Sequence, residues 1–332
     1  MEYILNKTPI RTSNNFKVND FKIDLDIKET EFNDFIISED VDVKTSIKNN
    51  LESKIGLPSN KYLNLRLKTD ISKPIFITYD FNDNNYLASQ INIDISKKNN
   101  YIIIFKSNKE SFLNTKIVIN SKKDSISNIS IINMLDSESK SFISIENNVE
   151  ENAKSIVNFI ELGGKVKVSN YYSMINGESG ENYFNSLYLG SNDDKLDLNY
   201  YIGNNNKKTI SNIKLEGTLK DNSYKLFKGT IDFYEGSTKS IGEENENCIL
   251  LSDNATSRSL PMLLCHEEDV VGAHGVSTGK IDEEKLFYLM SRGIEEKEAK
   301  RLIVNANYNV IIDNIPDEET KLLIRNKINE IL

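Results

Sequence analysis

Residues 247–294 read NCILLSDNATSRSLPMLLCHEEDVVGAHGVSTGKIDEEKLFYLMSRGI, and within this stretch a strand pattern gives way to a helix pattern. Ile249, Leu250 and Leu251 form a short apolar run that Ser252, Asp253 and Asn254 interrupt, because their side chains bond nearby backbone and favour a turn. A second run, Met262 to Leu264, follows Pro261, whose missing N–H suits a strand start or an edge strand better than a strand centre. Gly272, Gly275 and Gly279 surround His274 and predict tight bends or close approach of another backbone. Beyond Gly279 the period changes. Asp282 is placed to cap a helix, Glu283 and Glu284 sit where the helix dipole favours negative charge, and Ile281 can staple onto Leu286. Leu286, Phe287, Leu289 and Met290 make an apolar face, and Gly293 is a good terminator. Two more helices are expected, one with Ala299, Leu302, Ile303, Ala306 and Val310 on a face, the other opening at Asp317 after Pro316 and carrying Leu323, Ile324, Ile328 and Ile331.

Working outward, residues 74–279 are dominated by short alternating runs such as Ile91-x-Ile93-x-Ile95, Ile117-x-Ile119, Leu196-x-Leu198 and Ile231-x-Phe233, which predict strands. Clusters of Asn, Asp, Ser, Lys and Gly, including NSKKDS, LGGK, GSNDDK and GNNNKK, separate them. Many short strands admit a sandwich, a barrel or a solenoid, and periodicity alone does not choose among them. Residues 1–73 read as a mixed N-terminal region, with strands at Phe32–Ile37 and Val41–Val43 and a weak helix at Thr45–Ile55 ended near Gly56 and Pro58. Residues 280–332 form a helical C-terminal unit.

The composition narrows the function classes. The chain has 332 residues, enough for a substantial core, and its net charge of −9 argues against a duplex-binding surface, which needs a Lys/Arg excess. Its two cysteines, Cys248 and Cys265, make no disulfide framework and read as small buried residues. The first fifteen residues carry no basic-then-apolar leader pattern, and no apolar run approaches the ~20 residues of a membrane span, so a cytoplasmic location is expected. Gly275–Lys280, GVSTGK, lacks the first glycine of a phosphate loop and has Ile281 where a Ser or Thr would hold magnesium. The acidic runs Glu243–Glu244 and Asp317–Glu319 read as solvated surface. Successive strand side chains face opposite ways, so Cys265 and His266 are not expected to share an ion.

The leucine run, Asn254-Ala255, Pro261, the acidic pair before valine, His274-Gly275 and above all LFYLMSRGI at Leu286–Ile294 resemble the SufB/SufD family of iron–sulfur cluster assembly scaffolds, most like its SufD branch. Pro9-Ile10-Arg11-Thr12 with Val18-Asn19 resembles the family's N-terminal signature. The resemblance implies a mainly β chain: a right-handed parallel β-helix (solenoid) with a mixed N-terminal region and a C-terminal α-helical domain. It also implies a noncatalytic scaffold in a hetero-oligomer, paired with a SufB-like scaffold through β-helix ends and docking a SufC-like ATPase through the helical tail, with no nucleic acid or membrane partner. Leu286, Phe287, Leu302 and Ile303 are the partner-binding candidates, and His274 is the candidate for transient iron or cluster contact, no cofactor being held stably. SufB-like chains carry a cysteine near Ala255 and a His-Glu pair where this chain has His274-Gly275. SufD-like chains commonly read Cys-x-His-Gly where this one reads Gly272-Ala273-His274-Gly275, so the thiol is gone while the imidazole stays. Two other readings remain: a minimal SufB-like homodimer holding the nascent cluster itself, and a β-solenoid polysaccharide-active enzyme, which needs carboxylates on an exposed sheet face.

Overall fold

A computed structural model describes residues 2–10, 18–25, 35–37, 41–52, 58–67, 73–81 and 85–332, the strands between 35 and 67 by their backbone. An N-terminal hairpin pairs β1 (Glu2–Leu5) with β2 (Phe21–Asp24). It is followed by β3 (Phe35–Ile37), β4 (Val41–Glu52) and β5 (Pro58–Leu67), where β4 and β5 run antiparallel. From there the chain alternates between two sheets. The first holds β6 (Ile75–Asp80), β8 (Lys98–Lys106), β10 (Ile126–Met134), β12 (Lys154–Glu161), β14 (Glu181–Gly190), β16 (Ile210–Leu219), β18 (Ser240–Leu250) and β20 (Val270–Lys280). The second holds β7 (Tyr86–Ile95), β9 (Phe112–Ser121), β11 (Lys140–Val149), β13 (Val166–Ile175), β15 (Lys195–Asn204), β17 (Tyr224–Phe233) and β19 (Thr256–Cys265). Every strand from β6 on pairs in parallel with the strand two places later, so the chain is a parallel β-solenoid of about seven turns, as the resemblance implies.

The repeat length is visible in side chains stacked from one turn to the next: Ser89 and Thr115 are 26 residues apart, Asn133 and Glu161 28, Thr209 and Ser240 31. The polar clusters that separate the strands are the corners of each turn. Asp124, Asn152, Asn192 and Asp221 adopt positive φ there, a conformation that Asp and Asn tolerate better than most residues. Between the sheets the inward residues form one core, including a stack of rings in which Tyr171 and Phe184 lie 3.9 Å apart and Phe184 meets Tyr200 edge-on at 4.6 Å.

Thr45–Glu52 corrects the helix expectation. It is part of strand β4, where Val41, Val43, Thr45 and Ile47 alternate with polar residues and pair with β5. Phe32–Asp34, Ile55, Gly56, Arg11 and Thr12 lie outside the described residues. Gly272, Gly275 and Gly279 do not bend the chain either: all three lie within the continuous strand β20, although a Cβ at Gly272 would press on Leu263 and Phe233. Pro261 sits in the middle of β19, which is tolerated because β19 ends its sheet.

Three helices follow, α1 (Glu283–Ser291), α2 (Glu296–Ile312) and α3 (Glu318–Ile331). The Asp282 side chain caps α1, Asp317 caps α3, and Gly293 at φ 88° ends the first helix, as its sequence suggests. The tail folds back on the outer face of the first sheet, where Val304, Tyr308, Ile311, Ile312, Ile324 and Ile328 bury Ile102, Ile132, Ile160, Leu187 and Leu189. Tyr308 donates to the Tyr188 carbonyl at 2.9 Å and Lys220 to the Ile331 carbonyl at 2.7 Å. The face read from sequence on α2 is divided: Ala299 is buried and Ile303 half-buried, while Leu302 and Val310 are exposed, and Val304 and Tyr308 make the main contact with the sheet. α2 thus carries a second apolar stripe, Leu302, Ala306 and Val310, that faces away from the sheet. Leu323 of α3 is likewise exposed. Among the described residues no helix is long and apolar enough to cross a membrane.

Burial perturbs a carboxyl in the middle of the column strongly. Glu161 accepts from Asn133 Nδ2 through one oxygen only, and desolvation pushes it up to about 7. An unfolded chain releases this proton near pH 4.5 and the folded chain holds it until about 7, so stability is lost as pH rises through that window. Glu161→Gln should keep the bond from Asn133 and flatten this dependence, gaining up to roughly 3 kcal/mol above pH 7 in urea unfolding. An unchanged pH slope would show that Glu161 is not its source.

Candidate functional site

The end of the solenoid differs from its middle. β19 and β20 are the last strands of their sheets, each paired on one side only among the described residues. Which residues line the interior there follows from strand alternation. Ser257 Oγ and Thr278 Oγ1 meet across the column at 3.4 Å, and the Gly272 position faces Leu263, so the inward positions of β20 are 270, 272, 274, 276 and 278. His274 is one of them. It stacks in register on Glu244 of β18 and is exposed because no further turn covers it.

Beneath His274 the interior turns polar. Glu244, Glu246 and Cys248 alternate on the inward face of β18 and are all buried. Glu246 is compensated. It pairs with Lys225 inside the column, accepts from Tyr188 Oη at 2.7 Å, and takes a further bond from Ser259. Lys225 also donates to Ser259 at 2.9 Å. Two glycines make space for this network. The Tyr188 ring occupies the place of a side chain at Gly217, and the Glu244 carboxylate lies over Gly229. Neither oxygen of Glu244 has a hydrogen-bond partner, and burial, then the charge of Glu246, pushes its carboxyl up to about 8. The same burial raises the Cys248 thiol and lifts the Tyr188 phenol well above its ordinary value.

These interior groups correct two expectations. The pair Glu243–Glu244 is not a solvated run: period two sends Glu243 outward and Glu244 into the column. The signal that marks it is the alternation Glu244-x-Glu246-x-Cys248 within a strand. Cys265, expected to be buried, is exposed, since its inward position belongs to the uncovered last turn; Cys248 is buried as expected.

The four partner-binding candidates fall into two grooves that share α1. Leu286 and Phe287 line a groove of about 430 Å³ with Leu250, Leu251, Ile281 and Met290, between the last solenoid corner and α1. Leu302 and Ile303 line a second, of about 570 Å³, with Tyr288, Leu289 and Ala306 between α1 and α2. Phe287 is 74% exposed and Leu302 43%, so both grooves present apolar surface to solvent.

The chain is thus a parallel β-solenoid with an uncovered polar end and a helical tail that presents apolar grooves. The chain belongs to the family described as SUF system FeS cluster assembly, SufBD core domain, whose model matches residues 79–307. Among its relatives, the iron–sulfur cluster assembly protein SufD of Bacillus subtilis is 34% identical over 105 residues, 32% of this chain and 24% of that protein. SufD of Escherichia coli is 29% identical over 172 residues, 52% of this chain and 40% of that protein. An iron–sulfur cluster assembly SufBD family protein of Pyrococcus horikoshii is 32% identical over 162 residues, 48% and 35% of the two chains. The chain thus matches less than half the length of each of these relatives.

Removing Lys225 tests how the polar end is held. Lys225→Met strands the Glu246 charge inside the column and should cost about 3–5 kcal/mol. Adding Glu246→Gln should recover most of it in chemical denaturation; a single variant as stable as the parent would mean that the pair is not buried in solution.

Proposed function

We propose that this chain is a noncatalytic SufD-like scaffold subunit that helps build iron–sulfur clusters, pairing with a SufB-like scaffold and docking a SufC-like ATPase that supplies the nucleotide-driven motion. The observation that carries the reading is the exposed second apolar stripe of α2, Leu302, Ala306 and Val310, on the side opposite the one that packs on the solenoid, with Ile303 at its border, half-buried against the core beneath the tail. Burying such a stripe is favourable at ~25 cal/mol per Å², and a helix that already spends one face on its own core has reason to keep a second only for a partner. At the uncovered turn, β19 and β20 offer unpaired backbone edges that a second scaffold can continue. His274, on the interior face of that turn, would then meet the partner's groups and receive iron or sulfide there. Closure of the ATPases would pull on the tail and rearrange this interface.

Leu302→Asp should leave the thermal melt of the chain unchanged and weaken capture of the SufC-like ATPase at least tenfold in co-purification, since this side chain faces solvent in the free chain. Undiminished capture would move the docking site off the tail. His274→Ala should preserve folding and assembly yet lower cluster yield in the reconstituted complex, and an unchanged yield would remove the imidazole from the pathway.

A further inference from the structure

We propose that the uncovered last turn binds a divalent metal ion within this chain, with Glu244 as its buried anchoring ligand and His274 as the second donor. Glu244 is wholly buried and neither of its oxygens is hydrogen-bonded. Its neighbour on the same interior face, Glu246, shows how the column treats a carboxylate it means only to bury: it surrounds it with Lys225, Tyr188 and Ser259. Glu244 receives no such cage. A buried carboxyl left without any hydrogen-bond partner is costly, and a metal ion that displaces its proton would supply the missing partner.

Geometry favours a metal ion as that partner. Glu244 and His274 are register partners on adjacent parallel strands and face the same interior, so their Cα atoms are separated by about one strand spacing, ~4.8 Å. Two side chains of this length starting so close can converge on one ion at ligand distances of about 2.0–2.2 Å. Space for the carboxylate exists because residue 229, across the column, is glycine, and a Cβ there would collide with Glu244. A carboxylate beside a neutral imidazole is a donor pair suited to first-row divalent ions, ferrous iron among them. Since the turn is open, water or a donor from a docked second chain can complete the coordination. The inference rests on the proposed role in cluster assembly only for naming the physiological cation as iron.

The full chain, stripped of metal, is titrated anaerobically with Co²⁺ as a spectroscopic stand-in, following visible d–d absorption and binding heat. One Co²⁺ per chain is expected, with affinity lowered at least tenfold in Glu244→Gln and in His274→Ala and unchanged in Glu161→Gln, a control that alters another buried carboxyl. Glu244→Gln replaces a partnerless buried carboxyl by an amide of the same shape and is expected to melt no lower than the parent, so lost binding would not reflect lost folding; Glu244→Asp, which keeps the carboxyl on a shorter arm, should bind with intermediate affinity. Binding that persists undiminished in Glu244→Gln, no binding by the parent chain, or a sulfur-to-cobalt charge-transfer band that disappears with Cys265→Ser would each overturn the proposal. Any of these results with ATPase capture intact would sink the metal site and leave the scaffold reading standing, whereas Leu302→Asp should weaken capture at least tenfold without altering Co²⁺ binding.

Discussion

Stacking of each turn on the previous one in parallel register is the interaction on which everything else in this chain depends. A single turn cannot bury its apolar stripe, and its backbone N–H and C=O groups find partners only in the turns above and below. Inside the column this gives a continuous core from Ile75 to Phe233 in which rings and aliphatic side chains repeat at matching heights. The same rule guarantees an unsatisfied final turn, because β19 and β20 have nothing stacked on them. The helical tail does not solve that problem: it covers the outer face of the first sheet and leaves the end open.

The interior changes chemistry as that end approaches. Early turns place mainly Ile, Leu, Val and Phe at inward positions, with a few polar groups such as Asn133 and Glu161, whereas the last two place Lys225, Glu244, Glu246, Ser257, Ser259 and His274 there beside Phe233 and Leu263. Apolar residues in those positions would leave a bare hydrophobic mouth prone to indiscriminate strand pairing. Polar residues below an open edge keep it wet and make the choice of partner depend on charge and hydrogen bonding.

What could be read from sequence divides along the range of the interactions. Strands announce themselves by alternation of residues such as Ile91, Ile93 and Ile95, and corners by Asp, Asn, Ser and Gly, because both are local effects of backbone and side chain. The way strands stack is a contact between residues nearly thirty positions apart and has no local signature, so the solenoid came from family resemblance and not from the pattern. Thr45–Glu52 was ambiguous because a short segment with Ile47 and Leu51 satisfies a helical spacing too, and pairing with β5 decides it. Two apolar stripes on α2 made its buried side undecidable without the sheet beneath. Of the site, His274 was legible, while Glu244 was hidden by its neighbour Glu243, since an acidic pair looks like surface until the strand phase is known.

The hairpin at the start of the chain has a bearing on how the molecule is made. Leu5 and Leu25 pack on Phe142 and Val168 of the second sheet. Asn6 donates to the carbonyls of Ser169 and Asp197, while its own carbonyl takes a bond from Lys228, 222 residues away in sequence. The seat of the hairpin is therefore complete only once Lys228 has been made, although Phe142, Val168 and Ser169 precede it. The turns carrying Asp197 and Lys228 must stack before that seat exists, and the hairpin closes over the buried Lys228–Asp197 pair as a late clasp that reports that the later turns are in place.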